Sequence, residues 1–157
     1  MATKTLTETI RVTSPDFAEG GRIPKRHASS PEGENVPPAL SWSDVPPGAK
    51  ELALVCDDPD APSPEPWVHW VLYGVPAAAT GLPAGAKGAV SGQNSWKANG
   101  WGGPLPPEGH GTHRYRFTLY ALDQRLSLPP GATKAALLKA MERHVLGQGT
   151  LVGTYSR

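Results

Sequence analysis

The sequence predicts a mostly antiparallel β-sandwich with one main α-helix near its C-terminus. Gly and Pro each occur 18 times among 157 residues, and a combined content this far above the usual level indicates many turns. Between the turns lie short apolar or alternating segments of strand length. One segment alone has helical spacing of its apolar residues, so strands and helices do not alternate as a parallel βαβ fold requires.

The first half of the chain contains three predicted strands. Thr5–Val12 alternates apolar and polar residues, which is typical of a half-buried strand. Residues 14–39 are rich in Pro, Gly and Ser and predict a long irregular connection before a short strand at Ala39–Trp42. Leu52–Cys56 is a continuous apolar run closed by turn residues, which predicts a strand buried on both faces.

The second half contains the clearest alternation. Trp67–Tyr73 is apolar or aromatic except at His69, and Arg114–Leu122 alternates strictly. Together with the preceding apolar run, these two segments are expected to be interior strands. Residues 80–112 show no period, and a loop of that length is usually functional or wrongly assigned. Leu151–Tyr155 predicts a last short strand.

The main helix is predicted over Thr133–Leu146. Thr133 suits the N-cap and Gly147 suits the position after the C-cap. One apolar stripe is formed by Leu137, Leu138, Met141 and Val145. Two GxG sequences, at residues 109–111 and 147–149, are each followed by a strand and are therefore interpreted as turns instead of a dinucleotide-binding motif.

Length, charge and cysteine content restrict the class of protein. A chain of 157 residues suits a single domain, here residues 1–157. A net charge of +1 favours neither nucleic acid nor a membrane surface. Cys56 is the only cysteine, so an intrachain disulfide and a CxxC-type zinc site are excluded. The first eight residues lack an apolar signal core, so we expect a soluble cytoplasmic protein, either a monomer or a homodimer, without integral membrane association.

Polar residues beside the buried strands are the candidate functional residues. Asp58 and Asp60 follow the apolar run, His69 interrupts a strand, and His113 precedes the strictly alternating strand. Each has an ordinary explanation when taken alone, because carboxylates often bond turn amides and a lone strand histidine is usually a satisfied core residue. The other three histidines, His27, His110 and His144, lack such a context and are expected to face solvent.

In combination, these segments resemble a known family. The runs Asp58-Pro-Asp-Ala-Pro62, Trp67-x-His69-Trp70 and Pro106-Pro-x-Gly-x-Gly-x-His-Arg-Tyr115 are similar to the signatures of the phosphatidylethanolamine-binding protein family. That family includes the Raf kinase inhibitor proteins and plant flowering regulators. The likeness covers nearly the whole chain and is greatest to the short prokaryotic, Raf kinase inhibitor-like branch.

The resemblance implies a β-sandwich with a small pocket for phosphate-like anions at one end. Neutral imidazole, a tyrosine hydroxyl and backbone donors suit an oxyanion better than a closed metal shell, so we expect no cofactor and no bound metal. The resemblance also implies a cis peptide bond before Pro62. The residues that it assigns to ligand binding are Asp58, Asp60, Pro62, Trp67, His69, Pro106, Pro107, Gly109, His113 and Tyr115.

These residue types suit a small anion with one exception. His69 and His113 can donate hydrogen bonds and can become cationic, and Tyr115 can donate its hydroxyl. Asp58 repels an anion, so it either holds a histidine in one tautomer or shares a proton with the ligand. Strand alternation directs Arg114 to the opposite face. Binding is therefore expected to be weak and dependent on pH.

Three functions remain open at this point. The favoured one is a binding protein for a small oxyanion or phosphorylated ligand, with regulation of a protein partner as an extension. An alternative is a metal-assisted or acid–base hydrolase that uses the same His and Asp residues, although no HExxH spacing and no separate nucleophile is evident. The third is an interaction protein whose interface is the 80–112 loop with Trp96 and Trp101, tryptophans that more ordinarily cover the sandwich.

Overall fold

A computed structural model describes residues 9–83 and 89–157. Eight strands and one α-helix are present in these ranges, and the strands form two antiparallel sheets. In chain order the elements are β1 (Arg11–Thr13), β2 (Leu40–Ser43), β3 (Glu51–Asp58), β4 (Trp67–Pro76), β5 (Gly81–Leu82), β6 (Val90–Ser91), β7 (His113–Leu122), α1 (Lys134–Met141) and β8 (Val145–Tyr155). The predicted mostly β architecture with one helix near the C-terminus is confirmed.

The larger sheet has five strands in the order β6-β4-β3-β7-β8, and the smaller has three in the order β1-β2-β5. The three segments predicted to be interior strands are β3, β4 and β7, and all three lie inside the larger sheet. Because β3 is the middle strand, it pairs with β4 on one side and β7 on the other. The ends of these three strands are therefore neighbours.

Both faces of the larger sheet are covered, which explains the continuous apolar run in β3. Leu52, Leu54 and Cys56 pack into the core shared with the smaller sheet. The intervening Ala53 and Val55 belong to a second cluster on the opposite face, where residues of α1 cover them. Successive strand residues point to opposite faces, so a strand covered on both sides has no polar position to alternate with.

The C-terminal part of the chain corrects the predicted end of the helix. The N-cap is as expected, since Thr133 Oγ1 accepts a hydrogen bond from the Ala136 amide at 3.1 Å. The helix ends at Met141 instead of Leu146, and Arg143 follows with a φ of 67°, in the left-handed region that a helix cannot continue through. In the described residues, no helix is long and apolar enough to cross a membrane.

The last strand is longer than predicted and begins at Val145. Gly147 and Gly149 are therefore strand residues of β8, not turn residues. A Cβ at Gly149 would collide with the carbonyl oxygen of Ile10, so glycine here permits a close approach of two backbones.

The N-terminal part also differs in detail. The first strand spans Arg11–Thr13, and residues 5–8 of the predicted strand lie outside the described residues. His27 was predicted to face solvent, and this prediction is wrong: the residue is fully buried, and its Nδ1 donates a hydrogen bond to the carbonyl oxygen of Val36 at 2.7 Å. Among the described residues the cis peptide bond is Ser30–Pro31, and the bond before Pro62 is not cis.

Candidate functional site

The candidate site lies where β3 ends and where β4 and β7 begin. Asp58, the last residue of β3, pairs across the sheet with Trp67, the first residue of β4. Asp57 pairs with Arg116 of β7, so His113 and Tyr115 also lie at this edge. Antiparallel pairing thus joins three segments that are separate in sequence.

These strand ends surround a cavity of about 260 Å³. The cavity is lined by Asp58, Ala61, Pro62, Ser63, Trp67, His69, Trp96, Leu105, Pro106, Pro107, His113 and Tyr115. Of the ten residues predicted to bind a ligand, all except Asp60 and Gly109 are in this lining. The convergence of the three segments is therefore observed, whereas ligand binding by these residues stays a prediction.

A chain of three hydrogen-bonded side chains runs from the buried carboxylate toward the surface. Asp58 Oδ2 is 2.6 Å from His113 Nδ1, and His113 Nε2 is 2.6 Å from His110 Nδ1. Asp58 and His113 are both buried, while His110 is exposed. A carboxylate accepts the Nδ1 proton, so Asp58 fixes the orientation and tautomer of His113. This corresponds to the first of the two roles that the sequence left open for Asp58.

His69 is held as a neutral ring. Its Nδ1 lies 2.6 Å from the carbonyl oxygen of Gly102, and because a carbonyl only accepts, Nδ1 carries the proton. Burial lowers the pKa of His69 to about 4, and the hydrogen bond to Gly102 opposes this shift without overcoming it. The other nitrogen of the neutral ring, Nε2, is therefore a hydrogen-bond acceptor near neutral pH. The sequence led us to expect that His69 donates a hydrogen bond to a ligand, whereas the ring in this structure offers a ligand an acceptor at Nε2.

Aromatic rings form the walls around His69. Its ring centroid is 5.1 Å from that of Trp96 and 5.0 Å from that of Tyr115, both edge-on. Burial raises the pKa of the Tyr115 hydroxyl, with the nearby Asp58 charge adding to the effect. Tyr115 consequently keeps its proton and is a hydrogen-bond donor.

Asp60 and Gly109 lie outside the cavity lining. The Asp60 carboxylate turns toward Arg114 and accepts two hydrogen bonds from its guanidinium at 2.9 Å. Those hydrogen bonds lower the pKa of Asp60 to about 2. The backbone amide of Gly109 donates to the carbonyl of Arg157 at 3.2 Å, so it anchors a loop instead of facing the cavity.

Four residues of the lining, Ala61, Ser63, Trp96 and Leu105, were not among the predicted site residues, and neither was the neighbouring His110. Trp96 lines the cavity while its side chain remains 41% exposed, and a Cβ at Gly102 would collide with its ring. His110 joins the site through His113, and its place between two glycines in the second signature was the signal that could have identified it. Trp101, in contrast, is buried in the core, as expected of a tryptophan that covers the sandwich.

A metal centre has no evident donor set here. Within residues 9–83 and 89–157, no group of three or more His, Cys, Asp or Glu side chains is arranged to hold a metal ion. The three-residue chain consists instead of groups already paired with one another.

Comparison with known proteins agrees with this fold and these motifs. The family model described as phosphatidylethanolamine-binding protein matches residues 13–156. A UPF0098 protein of Methanothermobacter thermautotrophicus is 49% identical over 148 residues, which cover 90% of this chain and 95% of that protein. LppC, a candidate lipoprotein of Mycobacterium tuberculosis, is 46% identical over 151 residues, which cover 94% of this chain and 73% of LppC.

A solved structure is similar over almost its whole length. The crystal structure of a candidate homologue of the phosphatidylethanolamine-binding proteins from Chlamydia trachomatis has a TM-score of 0.89 and 38% sequence identity. The match covers 96% of this chain and 99% of that one.

Proposed function

The chain belongs to the phosphatidylethanolamine-binding protein family, and from this premise we propose that it binds a small phosphate monoester or phosphate-bearing headgroup in the cavity at the end of β3, β4 and β7. The ligand is held in its protonated, singly charged form. The observation that supports the proposal is the pairing of a hydrogen-bond acceptor, His69 Nε2, with donors on the other side chains of the same cavity.

The charges of the lining favour a monoanion over a dianion. Among the residues that line the cavity there is one carboxylate, Asp58, and no Lys or Arg. A dianion would have only His113 as a source of compensating charge. A monoester that keeps one proton carries less charge and offers a P–OH donor to the neutral ring of His69.

The donors suit the remaining phosphate oxygens. Tyr115 keeps its hydroxyl proton because burial raises its pKa. His113 can donate from Nε2 while Asp58 accepts from its Nδ1, and a hydrogen bond from an imidazolium to a phosphate oxygen is charge-assisted. A volume of about 260 Å³ limits the enclosed part of the ligand to a headgroup, since pockets for drug-sized ligands begin at about 300 Å³.

Methyl phosphate and methyl sulfate test this proposal. At pH 5.5 both are small monoanions of similar shape, but only methyl phosphate has a proton to donate to His69. Calorimetric titration at pH 5.5 should show methyl phosphate binding at least tenfold more tightly. Because the second pKa of a phosphate monoester is about 6, the protonated form and the affinity should fall about 20-fold between pH 5.5 and 7.5. Equal affinity for the two probes, or tighter methyl phosphate binding at higher pH, would contradict the proposal.

Two further expectations accompany this function. Regulation of a protein partner stays a prediction that extends the binding function. The cytoplasmic location is likewise a prediction, and the relation to LppC makes cell fractionation with an antibody against this chain the direct check.

A further inference from the structure

Both ring nitrogens of His113 are already hydrogen bonded within the protein. Nδ1 is 2.6 Å from Asp58 Oδ2, and Nε2 is 2.6 Å from His110 Nδ1. The ring centroids of His110 and His113 are 4.9 Å apart. An imidazole has two nitrogens, so in this arrangement His113 has no N–H free for a ligand.

His110 is placed where it can move without disturbing the core. It is exposed, and it lies between Gly109 and Gly111, whose φ angles are 73° and 93°. A Cβ added at either glycine would meet no atom within 4 Å, so the turn is open on both sides of the histidine. The backbone amide of His110 is bonded locally, to the carbonyl of Pro107 at 3.1 Å. Displacing the ring therefore requires rotation of one surface side chain and leaves the turn in place.

We propose that His110 is a displaceable cap on the binding site. In the free protein it occupies Nε2 of His113, and when ligand binds, a phosphate oxygen takes its place at that nitrogen. This inference rests on the proposed function, because it concerns the same cavity and the same ligand. No covalent step is involved, and the exchange replaces one hydrogen bond of His113 by another.

The cap predicts the direction in which the affinity for methyl phosphate changes when the His110 ring is removed. Because the ligand must displace His110, the His110–His113 hydrogen bond opposes binding. A hydrogen bond of this kind contributes modestly, so its removal in His110→Ala should tighten binding of methyl phosphate by about 3- to 10-fold. If His110 instead contacted the ligand or merely held the loop in shape, the same variant would bind more weakly.

The experiment compares His110→Ala with wild type and with Thr112→Ala. Thr112 is exposed in the same turn, so it controls for a general loosening of the loop. Methyl phosphate is titrated by calorimetry at pH 6.5 in all three proteins. Tighter binding by His110→Ala alone supports the cap. Equal binding in all three overturns the cap and leaves the proposed function standing, whereas no binding in any of them overturns both.

Nuclear magnetic resonance supplies a readout that a purely structural role would not change. In wild type, saturating methyl phosphate should move the ring signals of His110 toward those of a solvent-exposed imidazole, because its partner nitrogen has been taken. The ring signals of His144, which is paired with Asp123 away from the cavity, should stay in place. Unchanged His110 signals in the methyl phosphate complex would overturn the cap.

Discussion

Asp57 and Asp58 are consecutive carboxylates at the end of β3, both buried, and they have opposite environments. Asp57 is bonded to two permanent cations: Arg116 at 2.8 and 3.1 Å, and Lys134 at 2.7 Å. Asp58 faces the cavity, and its side-chain partner is the imidazole of His113. Because strand residues alternate, one residue step separates the helix-covered face from the cavity face.

The difference lies in the partners of the two carboxylates. The charge of Asp57 is balanced by an arginine and a lysine, each in an ion pair with it. The partner of Asp58 is an imidazole that also contacts a second, exposed histidine, His110. The helix-covered side of this strand end therefore holds an ion cluster, whereas the cavity side holds a carboxylate paired with histidine.

The largest expected effect is a loss of stability at acid pH, caused by protonation of His69 on the cavity side of β3. Burial lowers the pKa of His69 to about 4 in the folded protein, while the unfolded value is about 6.5. Between these values the unfolded state binds the proton, so the free energy of unfolding falls as pH falls from 6.5 through 4, by about 3 kcal/mol in total. Urea denaturation at pH 7.5 and at pH 4 measures this loss. Between these pH values the free energy of unfolding should fall by about 3 kcal/mol more in wild type than in His69→Gln. If the free energy of unfolding depends on pH in the same way in both proteins, His69 is not the acid-sensitive group.

The next effect concerns stability on the Asp57 side. Asp57→Asn leaves Arg116 and Lys134 without a counter-charge, and we expect a loss of about 2 kcal/mol in the free energy of unfolding, below the cost for fully buried pairs because both cations are partly exposed. Denaturation at pH 7 measures this loss. Methyl phosphate affinity should not change, and a parallel loss of affinity would show that the two sides of β3 are coupled.

Asp58→Asn is the matched variant on the cavity side. It keeps the shape of the side chain but replaces the carboxylate that accepts a charge-assisted hydrogen bond from His113 Nδ1 and orients the ring. Methyl phosphate affinity at pH 6.5 should fall about tenfold, which corresponds to about 1.4 kcal/mol. Unchanged or tighter binding would mean that Asp58 acts on the ligand only as a repelling charge.

The sequence predicted the strands β3, β4 and β7, whose ends form the site. It predicted fewer of the contacts between side chains at that site. Apolar runs and alternation identify β3, β4 and β7 because burial imposes a pattern on each residue of a strand. The motif resemblance then identified Asp58, His69 and His113. The contact between His110 and His113, and the turn of Asp60 toward Arg114, depend on how a glycine-rich loop meets a strand end. Asp60 and Arg114 are 54 residues apart, and the contact between His110 and His113 is set by the conformation of a glycine-rich turn that has no apolar period, so local pattern predicts neither contact.

Helix and strand limits near the C-terminus were missed for the same reason. The apolar stripe continues past Met141, so spacing alone extends the helix to Leu146. The chain instead turns at Arg143, and β8 pairs with β7 from Val145 onward. Sheet hydrogen bonds along an eleven-residue strand outweigh one further turn of helix, and the glycines of β8 admit the neighbouring backbone.

The smallest expected effect separates the two aspartates of the first signature. Asp60→Asn keeps the backbone amide that donates to Asp58 Oδ1 at 2.7 Å, and it removes only the charge that pairs with the exposed Arg114. The folded pKa of Asp60 is about 2, below the unfolded value of about 3.9. The stability from this charge is therefore fully present above pH 4 and is lost as pH falls toward 2, so it contributes no pH dependence between pH 5.5 and 7.5.

An exposed ion pair also contributes little, so methyl phosphate affinity should stay within about twofold of wild type and the denaturation midpoint at pH 7 should barely move. We therefore expect Asp60 to support the site through its backbone amide. A drop in affinity as large as that of Asp58→Asn would instead place its carboxylate among the ligand-binding groups.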